Sequence, residues 1–172
     1  VRATRTESEP RLLASALKRL DTLLAEGITT IEVKSGYGLD IDTELKMLRV
    51  IKKLREISPI PVKSTLLGAH TYPQEYKENH PGYIELIINE MLPVIAKEKL
   101  ADYIDVFCET GFFSPEETET ICRAGMSYGL KPKIHANQLN LSGGVQAGVK
   151  LGALSVDHLE TMDDDAINAL SN

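Results

Sequence analysis

The sequence predicts an α/β fold: parallel strands alternating with helices, arranged as part of an eightfold β/α barrel. Five short apolar runs alternate with six helical patterns, the order that parallel sheets with crossover helices require. Every run ends in a reactive or conformationally special group: Ser35-Gly36-Tyr37, His70, Glu109, His135 and Asp157-His158. A doubly wound sheet is the competing architecture, but it concentrates its site at one switch point, whereas a barrel gathers side chains from many strand ends. A whole barrel takes about 250 residues, so this chain of 172 is expected to form a partial barrel domain over residues 1–172.

The elements follow in order. Pro10 suits a first helical turn, with Ser8 before it as a cap, and Leu12, Leu13, Ala16, Leu17, Leu20, Leu23 and Leu24 recur at helical spacing until Gly27. A strand over 29–34 leads into Ser35-Gly36-Tyr37-Gly38, and a helix over 42–57 carries Leu45, Leu48, Ile51 and Leu54 on one face. The second strand, 62–69, stops at His70. A polar loop to Pro81 precedes a helix with Ile84, Ile87, Ile88, Met91 and Leu92. The third strand, 103–108, is closed by Glu109, and Ser114-Pro115-Glu116-Glu117 is a helix start with cap, proline and acids against the dipole. Residues 133–136 form the fourth strand, Ser142-Gly143-Gly144 opens a short helix, 153–157 form the fifth strand, and a final helix begins near Asp163.

Composition bounds the function. With 42% hydrophobic and 26% charged residues and a net charge of −6, the chain is globular rather than disordered, collagenous or disulfide-scaffolded. Its apolar runs are broken by Lys, Glu or Pro well short of the ~20 residues of a membrane-spanning helix, and no signal-peptide pattern occurs at Val1. Nineteen basic against 25 acidic residues argue against a nucleic-acid partner. Cys108 and Cys122 lack metal spacing and read as reduced thiols of a cytoplasmic protein, with Cys108 in the core.

Chemistry concentrates at the strand ends. His70, His135 and His158 would converge on one barrel mouth, able to hold a divalent metal and a polar substrate. Hydrogen-bonded junction histidines are the plainer alternative. His80 reads as structural or solvent-facing. A histidine and an amide three apart, His135 and Gln138, could ligate a metal and contact a substrate amide, or Asn137 and Gln138 could build a turn. Asp157-His158 offers an acid–imidazole pair for proton transfer, or a capping Asp beside an incidental His. Ser142-Gly143-Gly144 reads as a cap and the Asp163-Asp164-Asp165 run as acids at a helix start. Phosphate-loop and nucleophile-elbow patterns are absent from the sequence.

Glu32-Val33-Lys34-Ser35-Gly36-Tyr37-Gly38-Leu39, Leu67-Gly68-Ala69-His70, Asp105-Val106-Phe107-Cys108-Glu109, Ile134-His135-Ala136-Asn137-Gln138 and Asp157-His158-Leu159 together resemble the imidazolonepropionase family, metal-dependent amidohydrolases of histidine degradation. The resemblance implies the second to sixth strands of the barrel and hydrolysis of 4-imidazolone-5-propanoate to N-formimidoyl-L-glutamate. It implies His135 as a metal ligand, Tyr37, His70 and Gln138 as substrate-binding residues, and His158 as the catalytic histidine. The implied cofactor is one divalent ion, zinc or iron, and a homodimer is expected of the full-length enzyme. As an amide, Gln138 cannot serve as general base. The family's other ligands, a His-x-His on the first strand and an Asp on the eighth, have no counterpart here, so this chain alone is expected to bind metal poorly and to be inactive. A self-contained α/β module binding a small ligand or metal is the alternative reading.

Overall fold

Side chains alternate between the two faces of a strand, and that alternation divides the molecule into an apolar layer and a charged concavity. The computed structural model describes residues 1–171. In it β1 (Ile31–Lys34), β2 (Val62–Ala69), β3 (Tyr103–Cys108), β4 (Lys131–Ala136) and β5 (Ser155–His158) pair in parallel in chain order and curl into half of a barrel. Sequential order excludes the doubly wound alternative, whose strand order reverses at its switch point.

The crossovers are helical. α1 (Arg2–Thr6) and α2 (Glu9–Ala25) precede β1, and α3 (Ile41–Ile57) joins β1 to β2. Between β2 and β3, α4 (His80–Leu86) and α5 (Leu92–Glu98) run through a π-turn over Ile87–Met91 as one helical stretch. α6 (Pro115–Ser127), α7 (Gly144–Leu151) and α8 (Asp164–Ser171) complete the series.

Caps fall where short polar side chains precede apolar spacing. Asp40 accepts from the Thr43 amide, Ser114 and Glu117 form a reciprocal capping box, and Asp163 accepts from the Ala166 amide. Ser8 sits at the start of α2 but makes no side-chain cap bond. Nothing in the sequence marks α1, since five residues are too few to nucleate a helix alone. Tertiary bonds hold it instead. Lys46 Nζ donates to the carbonyls of Thr4, Arg5 and Glu7 at the negative end of α1, and Arg5 Nε donates to Gly38 O at 2.8 Å.

Ile104, Val106 and Cys108 of β3 face the helices in a core that includes Leu48, Leu66, Ile121, Ile134 and Val145. Gly125 lets α6 approach, since a Cβ there would fall 2.7 Å from Ile104 Cδ1. The other face carries Glu32, Lys34, Thr65, Asp105, Phe107, Lys133, His135 and Asp157. Register sets Asp105 beside Lys133, Phe107 beside His135, and His135 beside Asp157. Among the described residues no helix is long and apolar enough to cross a membrane.

Candidate active site

Four rings line the strand exits in sheet order. Tyr37 meets His70 edge-on at 5.1 Å between centroids, His70 lies 6.4 Å from His135, and His135 lies 4.8 Å from His158. Phe107 sits between, 6.0 Å from His70 and 6.2 Å from His135. The three histidines expected to share one rim therefore do. Tyr37 is 54% exposed at the lip, whereas the His135 side chain is only 14% exposed. Gln138 is half-buried on the β4 exit loop, where no hydrogen bond engages its side chain among the described residues. Of the two amide side chains, Asn137 is the one that builds the turn there, its Oδ1 accepting from the Ser142 amide.

The exit loops are held in uncommon backbone conformations. Asn137, His158 and Leu159 have φ of 52°, 81° and 63°, a region that non-glycine residues, branched ones especially, rarely occupy. Cross-loop bonds fix them: the Leu159 amide donates to Ala136 O, and Thr161 donates to Asn137 O through both its amide and its hydroxyl. Glu109, 2% exposed, accepts from the amides of Thr110, Leu139 and Asn140 and so ties the β3 exit to the loop carrying Gln138. Burial pushes the Glu109 carboxyl up, but these amides outweigh it and hold the group below the ordinary carboxylate range.

His158 Nδ1 lies 3.1 Å from Glu160 Oε1. A carboxylate only accepts, so Nδ1 carries a proton, and in the neutral ring Nε2 is then the acceptor. Asp157 and His158, adjacent in sequence, do not form a bonded pair: the acid belongs to a cluster deeper in the concavity, and the imidazole turns to Glu160 instead.

That cluster is Asp105, His135 and Asp157, whose donor atoms all lie within 4.8 Å of one another. His135 Nδ1 is 2.9 Å from Asp105 Oδ2, within ion-pair reach but out of line for a hydrogen bond, and both His135 Nδ1 and Asp105 Oδ1 are buried without a hydrogen-bond partner. Buried polar atoms are ordinarily satisfied. One imidazole nitrogen and two carboxylates suit a divalent transition metal, and the unpaired atoms fit such an ion. Lys34 Nζ bonds Glu32 at 2.7 Å and Asp105 at 2.8 Å, and Lys133 Nζ bonds Glu32 at 2.5 Å. Both lysines stand within 4 Å of Asp157. Three carboxylates against two ammonium groups leave a net negative charge around His135, which favours a cation. Burial pushes the Asp105 carboxyl up, yet His135 and Lys34 together hold it below its ordinary range. Sequence reasoning missed Asp105, Glu32, Lys34 and Lys133. The available signal was period-two placement: Asp105 and Phe107 share a face inside an otherwise apolar run.

Glu32 gives a pH prediction. Burial raises its carboxyl, but bonds from Lys133, Lys34 and Thr65 bring it down to about 2 from an ordinary 4.5. Folding favours the carboxylate, so its contribution is complete above about pH 4.5 and disappears as pH falls towards 2. The side chain is 24% exposed, and screening leaves about 1–2 kcal/mol of the contribution. Urea unfolding between pH 5 and pH 2.5 should show a steeper loss of stability for the wild type than for Glu32→Gln; equal slopes would refute the assignment.

Comparison with known proteins agrees with this geometry. Half-barrels of the same shape occur in a Bifidobacterium longum protein named as a prolidase, at a TM-score of 0.57 with 19% identity over 92% of this chain and 39% of that one. The carboxyl transferase domain of Rhizobium etli pyruvate carboxylase matches at a TM-score of 0.53, with 16% identity over 80% of this chain and 22% of that one. No protein-family profile matches. The imidazolonepropionase of Flavobacterium johnsoniae is 58% identical over 163 residues, 95% of this chain and 40% of that protein. Those of Christiangramia forsetii and Shewanella woodyi are 53% and 51% identical over 99% of this chain and 41% and 42% of theirs. The fold is part of a parallel β/α barrel whose concave face carries a candidate metal-binding cluster. By sequence the chain is similar to one stretch of the imidazolonepropionases, spanning about 40% of the length of the relatives it matches.

Proposed function

We propose that the whole protein hydrolyses the ring amide of 4-imidazolone-5-propanoate to N-formimidoyl-L-glutamate, as a cytoplasmic homodimer with one divalent ion, zinc or iron. The observation that carries this reading is the convergence of Tyr37, His70, His135 and His158 on one rim in a chain so close to imidazolonepropionases. Two buried free thiols, Cys108 and Cys122, suit a reducing compartment.

His135 would hold the ion, with Asp105 and Asp157 at hand as further oxygen donors. When bound, the ion supplies Lewis-acid polarisation of the ring carbonyl and acidifies an attacking water. His158, with Nδ1 committed to Glu160, offers Nε2 to take the water's proton and to return it to the leaving ring nitrogen. Tyr37 and His70 orient the polar ring and its propionate arm at the lip. Gln138 can both donate and accept, so it discriminates the ring nitrogens.

The test is turnover of imidazolonepropanoate by the full-length protein with and without chelator. Activity lost on chelation and restored by zinc or iron supports the reading; no turnover by the metal-loaded protein refutes it. In the same protein His158→Asn should keep its metal and lose about 10²–10⁴-fold in kcat. Loss of metal in that variant would make His158 a ligand instead.

A further inference from the structure

We propose that Glu44, on the first turn of α3, is a positioning residue that clamps the Gly36 loop so that the Gly36 carbonyl sets the tautomer of His70; this rests on His70 being a substrate-binding residue. The Glu44 side chain is fully buried, at 0% exposure, and no basic side chain bonds to it among the described residues. Its partners are backbone. Oε1 accepts from the amides of Gly36, Gly38 and Leu39 at 3.1, 2.8 and 2.9 Å, and Oε2 accepts from Gly36 at 2.9 Å. The loop presenting Tyr37 is thus wrapped around one carboxylate.

The other side of the same glycine faces the site. His70 Nδ1 lies 3.0 Å from Gly36 O. A carbonyl can only accept, so Nδ1 bears a hydrogen, and in the neutral imidazole Nε2 keeps its lone pair. An imidazole in this form receives a hydrogen bond from a ring N–H of the substrate, and it cannot donate through Nε2. Gly36 is well suited to this clamp. Its φ of +99° is a conformation that L side chains rarely adopt, and a Cβ there would meet Leu67 O at 2.7 Å. The Gly36 N–H and C=O belong to successive peptide groups, so Glu44 acts by geometry: holding the amides of Gly36, Gly38 and Leu39 fixes the loop with the Gly36 carbonyl aimed at Nδ1–H.

The experiment is ¹⁵N NMR of the imidazoles in full-length, metal-loaded protein, with His70 assigned through His70→Gln, alongside steady-state kinetics of Glu44→Gln and Glu44→Asp. Wild type should show His70 as the Nδ1–H tautomer. Glu44→Gln should shift it towards the Nε2–H form and raise KM about tenfold with bound metal unchanged, and Glu44→Asp should fall between. An Nε2–H tautomer in wild type overturns the proposal, whether or not the variants fold. So does a folded Glu44→Gln protein with unaltered spectrum and KM. If no variant and no wild-type protein turns over imidazolonepropanoate, the functional reading fails, while the tautomer spectrum still decides the positioning role of Glu44.

Discussion

Asp105→Ala is expected to destabilise the protein by about 3–5 kcal/mol and to weaken metal binding about 10–100-fold. Asp105 is fully buried, and its Oδ2 stands 2.8 Å from Lys34 Nζ and 2.9 Å from His135 Nδ1. Truncation leaves an ammonium group partly desolvated. Burial alone lowers the Lys34 pKa, and Asp105 with Glu32 outweighs it to keep the amine above its ordinary value. Without the acid, Glu32 remains as a partner at 2.7 Å, so the loss stops short of exposing a wholly unpaired charge. Urea denaturation reads the first effect and metal content after dialysis against graded chelator reads the second. A variant within about 0.5 kcal/mol of wild type, binding metal equally well, would show that Asp105 is neither a structural partner nor a contributor to the metal centre.

Gly36→Ala should be nearly as damaging, at about 2–4 kcal/mol, and should displace both Tyr37 and His70. Two costs combine there, a φ of +99° and a Cβ 2.7 Å from a backbone oxygen that cannot swing aside. Gly27 provides the control, with a φ of +86° and no atom within 4 Å of the position an added methyl group would take. Gly27→Ala should therefore lose only the conformational part, about 1–2 kcal/mol. The difference between the two variants, measured by thermal and urea unfolding, isolates the contact with Leu67. Equal losses would mean that the Gly36 loop yields without cost.

Much of this architecture is legible in the sequence because it is local. Helix starts such as Ser114-Pro115-Glu116-Glu117 and the leucine stripe of α3 state their own ends and faces. Strand-final His70, His135 and His158 could be expected at one rim because parallel strands in a barrel share a direction. What stayed hidden depends on register. Nothing in the neighbourhood of Asp105 says that Lys133 will lie beside it or that Lys34 will reach it across two strands. The same holds for Glu44, which reads as an ordinary acid in a first helical turn until the Gly36–Leu39 amides close around it. Adjacency misled at Asp157-His158, where the strand exit sends neighbours to different partners. α1 was invisible because its bonds come from Lys46 and from the loop after β1.

The strand order has a consequence for how the chain is made. Each strand pairs with the one synthesised just before it, so every new β/α unit can dock on a finished edge as it leaves the ribosome. Along these five strands backbone pairing can proceed by vectorial accretion, while side-chain links such as Glu32 to Lys133 close only once β4 is in place.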